Sequence, residues 1–235
     1  MTISAKIVME LRQKTQVGMM ECKKALTEAN GDMALAEEIL LKSGASKADK
    51  KADRVANEGL VFICSSDDAR QAAVVEVNCE TDFVARGDAF KQFGQRLAEL
   101  ALNNKVASVD ELTVLTFGEH GTVEDTRKVV IGQLGENIQV RRACAVTSDS
   151  GSVASYLHGG RIAVLVKLNT EDETVAKDIA MHVAAMKPGA IGPDGISADR
   201  IEKEREIFAA QVAESGKPET IADKIVEGKM QKFLA

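Results

Sequence analysis

The sequence predicts an α+β protein: an amino-terminal three-helix module, two related subdomains of antiparallel sheet and helix, and a helical hairpin arm. Three observations predict it. Residues 1–44 carry three short helical patterns and no strand pattern. An internal repeat follows, in which Asn78 aligns with Asn169. Val75-Glu76-Val77-Asn78 then falls on Val166-Lys167-Leu168-Asn169, Glu80 on Glu171, and Val84-Ala85-Arg86 on Val175-Ala176-Lys177. Each copy reads as an apolar, β-branched strand, a short polar loop and an amphipathic helix. Beyond a Pro/Gly loop at 188–195, two apolar helical stripes flank Gly216-Lys217-Pro218, the pattern of an αα-hairpin.

In chain order, Ile7 and Leu11 mark one face of the first helix, and Cys22, Leu26 and Ala29 that of the second. Gly31 ends the second helix, and Asp32 is placed to cap a third bearing Leu35, Ile39 and Leu40. Residues 45–57 change character, with Lys47, Lys50, Lys51 and Arg54 among alanines and aspartates. They read as a basic, solvated linker, helical or not, with a basic contact to an acidic partner as the sharper alternative.

From Gly59 the period switches to strand. Residues 60–64 and 72–79, joined by Ser65-Ser66-Asp67-Asp68, form a predicted hairpin. The helix after Phe83 buries Phe90, Phe93 and Leu97. A helix near 123–134 stops at Gly135, and a strand covers 138–147. Strands at 152–157 and 162–168, with His158-Gly159-Gly160 at the turn, repeat the hairpin, and a helix over 175–186 follows. The boundaries are therefore 1–44, a linker at 45–57, a first core subdomain at 58–147, a second at 148–187, and the arm at 188–235. In the arm, Ile201, Phe208 and Val212 form one stripe, and Ile221, Ile225 and Phe233 the other.

Composition narrows the function. A net charge of −6 argues against a general nucleic-acid coat, and the absence of tryptophan argues against base-stacking platforms. The four cysteines, Cys22, Cys64, Cys79 and Cys144, show no paired C-x-x-C spacing and read as reduced, mostly buried thiols. The amino-terminal residues show no apolar h-region behind a basic cap and no apolar run approaches membrane-spanning length, so a cytoplasmic protein is expected. His120 and His182 lack ligand spacing, and no metal or cofactor site is expected. Gly94, Gly132 and Gly135 make no phosphate-binding G-x-x-x-x-G-K-[ST] loop, so no direct nucleotide binding is expected.

The informative difference lies at the tip of the first copy. Thr81-Asp82-Phe83 there becomes Asp172-Glu173-Thr174 in the second. Taken alone, Asp82 reads as a helix N-cap with Phe83 in the core behind it. The repeat weakens that reading, because the second copy makes the same turn with Thr174 in place of Phe83. An aromatic at a loop tip is a typical anchor for a partner's pocket. Met19 and Met20 cannot both face one helix stripe, so at least one is exposed, and adaptable methionine surface suits protein contact. His158 lies in a Gly-rich turn beside Arg161, where a surface histidine by itself signifies little.

Cys79-Glu80-Thr81-Asp82-Phe83-Val84-Ala85-Arg86 resembles the signature of the elongation factor Ts family, and further blocks resemble that family in order. They are Leu11-Arg12-Gln13-Lys14-Thr15, Gly18-Met19-Met20-Glu21-Cys22-Lys23-Lys24-Ala25-Leu26 and Gly135-Glu136-Asn137-Ile138 with Arg141-Arg142. His158-Gly159 with Arg161-Ile162, Ile179-Ala180-Met181-His182-Val183-Ala184, Ser215-Gly216-Lys217-Pro218 and Val226-Glu227-Gly228-Lys229-Met230 continue the series.

The resemblance implies a ubiquitin-associated-like amino-terminal module and a non-enzymatic guanine-nucleotide exchange factor that binds the GDP form of elongation factor Tu. It implies that Thr81, Asp82, Phe83 and Val84 disturb the partner's Mg²⁺ site, and that Met19, Met20 and His158 contact the partner. It also implies that the family's last strands and carboxy-terminal helix are missing, since the sequence runs out at Phe233-Leu234-Ala235. The second subdomain is then expected to be incomplete, less stable than the first, and open to self-association through an exposed edge.

Two other classes stay in view. A thiol enzyme would use Cys79, although Glu80 and Asp82 beside it oppose thiolate formation. An RNA- or ribosome-binding module would use the 47–54 segment and show steep salt dependence.

Overall fold

Alternation along one strand organises the core. In the computed structural model, which describes residues 3–15, 17–216 and 218–234, β2 (Gln71–Cys79) is the middle strand of an antiparallel sheet. β1 (Glu58–Ser65) lies on one side and β3 (Gln139–Thr147) on the other. Ala73, Val75, Val77 and Cys79 of β2 face one way and are fully buried. Against them packs α5 (Asp88–Asn104), through Phe90, Phe93, Leu97, Ala98 and Ala101. Burial of this size is the main stabilising term of such a layer. α7 (Val123–Leu134), with a Thr122–Asp125 capping box, and the short α6 (Val109–Thr113) close the same core through Val123, Ile131 and Leu112.

A register shift at Glu76/Val77 has a local consequence. The bulge leaves Arg141 unpaired opposite β2, so the successive Arg141 and Arg142 reach the same carboxylate. Glu76 pairs with Arg141 at 3.1 Å and Arg142 at 2.5 Å. Burial opposes its charge, but hydrogen bonds and charge from Arg142 and Arg141 outweigh burial and hold its carboxyl below the usual range.

β4 (Ser152–His158) and β5 (Ile162–Leu168) form the second hairpin, which meets the first sheet at both ends. The Val61 N–H donates to Gly160 O (2.8 Å), and the Val153 N–H donates to Ala69 O (2.7 Å). The repeat is carried by backbone as well as by sequence. Gly59 (φ +145°) lies against Val77 and Asn78, and Gly151 (φ +77°) lies against Leu168 and Asn169. A Cβ at either glycine would come within 2.2 Å of the carbonyl oxygen preceding the aligned asparagine. The same close approach thus recurs at the aligned asparagine of each copy, a relation the strand pattern alone did not reveal. α8 (Glu173–Met186) follows β5, with Ala176, Ala180 and Ala184 buried at helical spacing.

The amino-terminal module consists of α1 (Ala5–Thr15), α2 (Met19–Glu28) and α3 (Met33–Lys51) around Val8, Leu11, Cys22, Leu26, Ala36 and Leu40. Asp32 caps α3 by accepting from the Leu35 N–H (3.0 Å). Leu35, placed in sequence on the apolar face, is 45% exposed, and Ala36 takes the inward position. α3 also runs through positions 45–51, where the linker was expected. It continues because α7 supports it: Gly44 and Gly132 bring the two backbones together, and Ala48 is buried on the core.

The chain divides into two compact units, residues 1–184 and 185–235. The second contains α9 (Ala198–Glu214) and α10 (Glu219–Leu234), packed through Val212, Val226 and Met230 with Phe208 and Phe233 alongside. Lys217 of the predicted break and Ala235 lie outside the described residues, as does the side chain of His120. Among the described residues no helix is long and apolar enough to cross a membrane.

Of the cysteines, Cys22 and Cys79 are buried and Cys64 is half-buried. Cys144 is exposed, contrary to the general expectation of burial, because its β3 position alternates with the core-facing Ala143 and Ala145.

Candidate partner-binding site

β2 ends at Cys79, and the chain turns at once into α4 (Asp82–Arg86). Thr81, not Asp82, is the N-cap: its backbone is extended and its hydroxyl accepts the Val84 N–H at 3.4 Å. Asp82 is the first helical residue and forms an i,i+4 pair with Arg86 (2.8 Å). This corrects the capping role considered for Asp82. The helix lasts five residues, and Gly87 resumes an extended backbone before α5. Ala85 is buried and Val84 packs on the core, which leaves Phe83 facing outward at 81% exposed. Phe83 is therefore not the core phenylalanine considered as an alternative.

What holds this turn comes from the residues that follow α7 and its cap, Gly135. The Glu136 carboxylate accepts from the Glu80 N–H (3.1 Å), the Thr81 N–H (2.9 Å) and the Thr81 hydroxyl (2.5 Å). Glu80 answers by accepting the Asn137 N–H at 2.7 Å. Asn137, fully buried, donates to Ala52 O (3.3 Å) and Arg54 O (2.7 Å). The aligned turn of the second copy is closed locally, with Asp172 accepting from the Thr174 and Val175 N–H groups (3.0 and 3.1 Å).

Cys79 lies beneath the turn, its thiol directed at Thr81 O (3.1 Å). Burial, followed by the negative charge of Glu136 and Glu58, pushes the thiol up to about 11. It stays protonated at neutral pH, which disfavours a thiol-enzyme reading. The opposing carboxylates are Glu136 and Glu58, not the neighbours in sequence.

The other candidate residues lie on separate elements. Met19 (40% exposed) and Met20 (75%) open α2, and Met19 lines a shallow hollow with Met9, Arg12 and Gln13 of α1. His158 ends β4, exposed, with Tyr156 Oη at 3.2 Å from its Nδ1 and the two rings stacked. Its carbonyl accepts the Arg161 N–H, and the Arg161 guanidinium pairs with Glu58. The structure gathers Thr81–Val84 on one turn and leaves the methionines and His158 on surfaces of their own. That arrangement suits an extended protein contact better than a pocket for a small substrate.

The basic segment is partly consumed within the fold. Lys47 pairs with Glu21, and Arg54 pairs with Glu80 at 3.5 Å.

Residues 80–235 match the family described as Elongation factor TS. The chain is 50% identical to Elongation factor Ts of Thioalkalivibrio sulfidiphilus, covering 100% of this chain and 80% of that protein. It is 53% identical to Elongation factor Ts of Bordetella petrii, over 99% of this chain and 78% of the relative. The chain belongs to the elongation factor Ts family. It is thus a protein of translation elongation, with the α+β architecture expected for an elongation factor Ts.

Within the sequence, Gly135-Glu136-Asn137-Ile138 resembles a block of the family, yet nothing in it assigns a role to Glu136 or Asn137. The one available signal was a pair of polar residues between a helix-ending glycine and a strand. Their partners are more than fifty positions away in the chain, so only folding reveals them.

Proposed function

We propose that this chain is a non-enzymatic guanine-nucleotide exchange factor, cytoplasmic and without a cofactor, that binds elongation factor Tu·GDP and promotes GDP release. The observation that carries the reading is the outward Phe83 on a turn gripped by Glu136, just beyond α7. A large aromatic costs free energy to leave in water, and a held one loses little freedom when a partner covers it.

On this reading Met19 and Met20 dock the amino-terminal module on the GTPase, and His158 contacts it from the second hairpin. Asp82 and Phe83 wedge against the GTPase domain, with Thr81 and Val84 seating the turn. The displacement disturbs groups that hold Mg²⁺ and the phosphates. Mg²⁺ neutralises phosphate charge, so weakening its site speeds nucleotide loss. Coupling is reciprocal: a factor that weakens GDP binding is itself bound more weakly, by the same factor, when GDP is present.

The test is release of a fluorescent GDP analogue from elongation factor Tu with and without the chain. Faster release that saturates with added factor is expected. An unchanged rate at saturating factor would reject the reading.

A further inference from the structure

The tip that carries Asp82 and Phe83 does not hold itself. Its helix is five residues long. Its capping hydroxyl, on Thr81, is bonded to Glu136 at 2.5 Å, and the two backbone N–H groups before the helix are bonded to the same carboxylate. Three donors on one carboxylate make a strong, directional grip, because hydrogen bonds to a carboxylate are shorter and stronger than those between neutral groups. Glu136 is itself held from behind: its neighbour Asn137 donates its N–H to Glu80 and its side chain to the carbonyls of Ala52 and Arg54.

The repeat separates this device from the turn as such. The second copy makes the same strand-to-helix turn with its own Asp172 as cap, while Glu171, aligned with Glu80, pairs outward with Arg70 at 3.0 Å. A strand-to-helix turn therefore forms in this fold without a carboxylate equivalent to Glu136. The copy with the outward phenylalanine is the one that receives the grip.

We infer that Glu136 is a positioning residue for nucleotide exchange, setting the direction and rigidity with which Phe83 meets the partner. This rests on the exchange reading above and goes beyond it, since Glu136 need not touch the partner. A wedge transmits force only when its base is fixed, and small displacements of a positioned group reduce rates steeply.

Two measurements test the inference. The sequence contains no tryptophan, so Phe83→Trp places a single fluorophore at the tip. In that background Glu136→Ala is expected to lower the indole anisotropy of the isolated chain while far-UV circular dichroism is unchanged. Unchanged anisotropy would overturn the inference, whether or not the chain acts on a GTPase. Should Glu136→Ala fail to fold, Glu136→Gln carries the comparison. Its amide oxygen can keep the two backbone N–H bonds but it presents an N–H, not an acceptor, to the Thr81 hydroxyl, so a smaller fall is expected, and no fall would count equally against the inference.

In exchange assays with Phe83 intact, Glu136→Ala should lower the maximal rate by roughly ten- to a hundredfold, as a misplaced group does. The half-saturating factor concentration should change by less than about twofold, the split expected when an interaction acts on the step and not on initial binding. A variant that shifts only half-saturation, or neither parameter, would overturn the inference. Failure of the unmodified chain to speed release would instead remove the exchange reading and leave the anisotropy result standing.

Discussion

Phe62 of β1 lies so close to Gly94 of α5 that a Cβ on the glycine would fall 2.1 Å from its ring. Mid-helix glycine costs about 1 kcal/mol relative to alanine, so this one is retained for contact and not for helix propensity. The contact presses α5 onto the sheet, and α4 with its exposed Phe83 leads directly into α5.

Gly94→Ala is therefore expected to destabilise the chain by roughly 1–3 kcal/mol, the usual cost of overpacking, despite the gain in propensity. Thermal unfolding decides it. A raised melting temperature would mean that Phe62 moves aside freely.

Phe83→Ala should slow GDP release from elongation factor Tu by roughly ten- to a hundredfold, the effect of a moderate anchor. Asp82→Ala should act in the same direction. Glu173→Ala, in the second copy, should do little. Equal effects at Asp82 and Glu173 in the release assay would contradict the assignment of the wedge to the first copy.

Met19→Ala combined with Met20→Ala should weaken binding to the GTPase while leaving the melting temperature nearly unchanged, since both side chains are exposed. Titration calorimetry and thermal unfolding on one preparation test this. A large fall in melting temperature would show that these side chains support the module's core.

Glu76 makes stability depend on acid pH. Its carboxyl is held below the ordinary 4.5, mainly by Arg142 and Arg141 against the opposing effect of burial. The unfolded chain binds that proton more readily, so the contribution is present above about 4.5 and is lost as pH falls through the lower folded value. Glu76→Gln should flatten the acid limb of the stability curve. An unaltered limb in urea unfolding between pH 3 and pH 6 would show that the two arginines do not hold the charge.

Among the described residues β5 pairs with β4 alone, whereas β2 has a strand on both sides. Amides of β5 should exchange faster than those of β2 in a dilute monomer, and rising concentration should slow them if the edge pairs with another copy. Equal protection in the two strands at low concentration would refute this order of stability.

The candidate site was legible where it depends on residue type. The departure of Thr81-Asp82-Phe83 from its repeat singled out the tip, and the methionine pair stood out because adjacent residues cannot share one helix face. It was illegible where the role belongs to a contact. Glu136 and Asn137 act on residues near 80 and near 53, and no local pattern links those positions.

The sequence by itself determined the α+β class, the order of the elements, the repeat, and the family, because periodicity and ordered motifs are local properties of the chain. Tertiary structure alone decided that α3 continues past Gly44 on the support of α7, that Thr81 and not Asp82 caps α4, and that a bulge turns two arginines onto Glu76. Each of those outcomes depends on which distant surface is available to meet a given residue. Such meetings are settled only when the layers pack, since burial and hydrogen-bond satisfaction are then optimised across the fold and not along the chain.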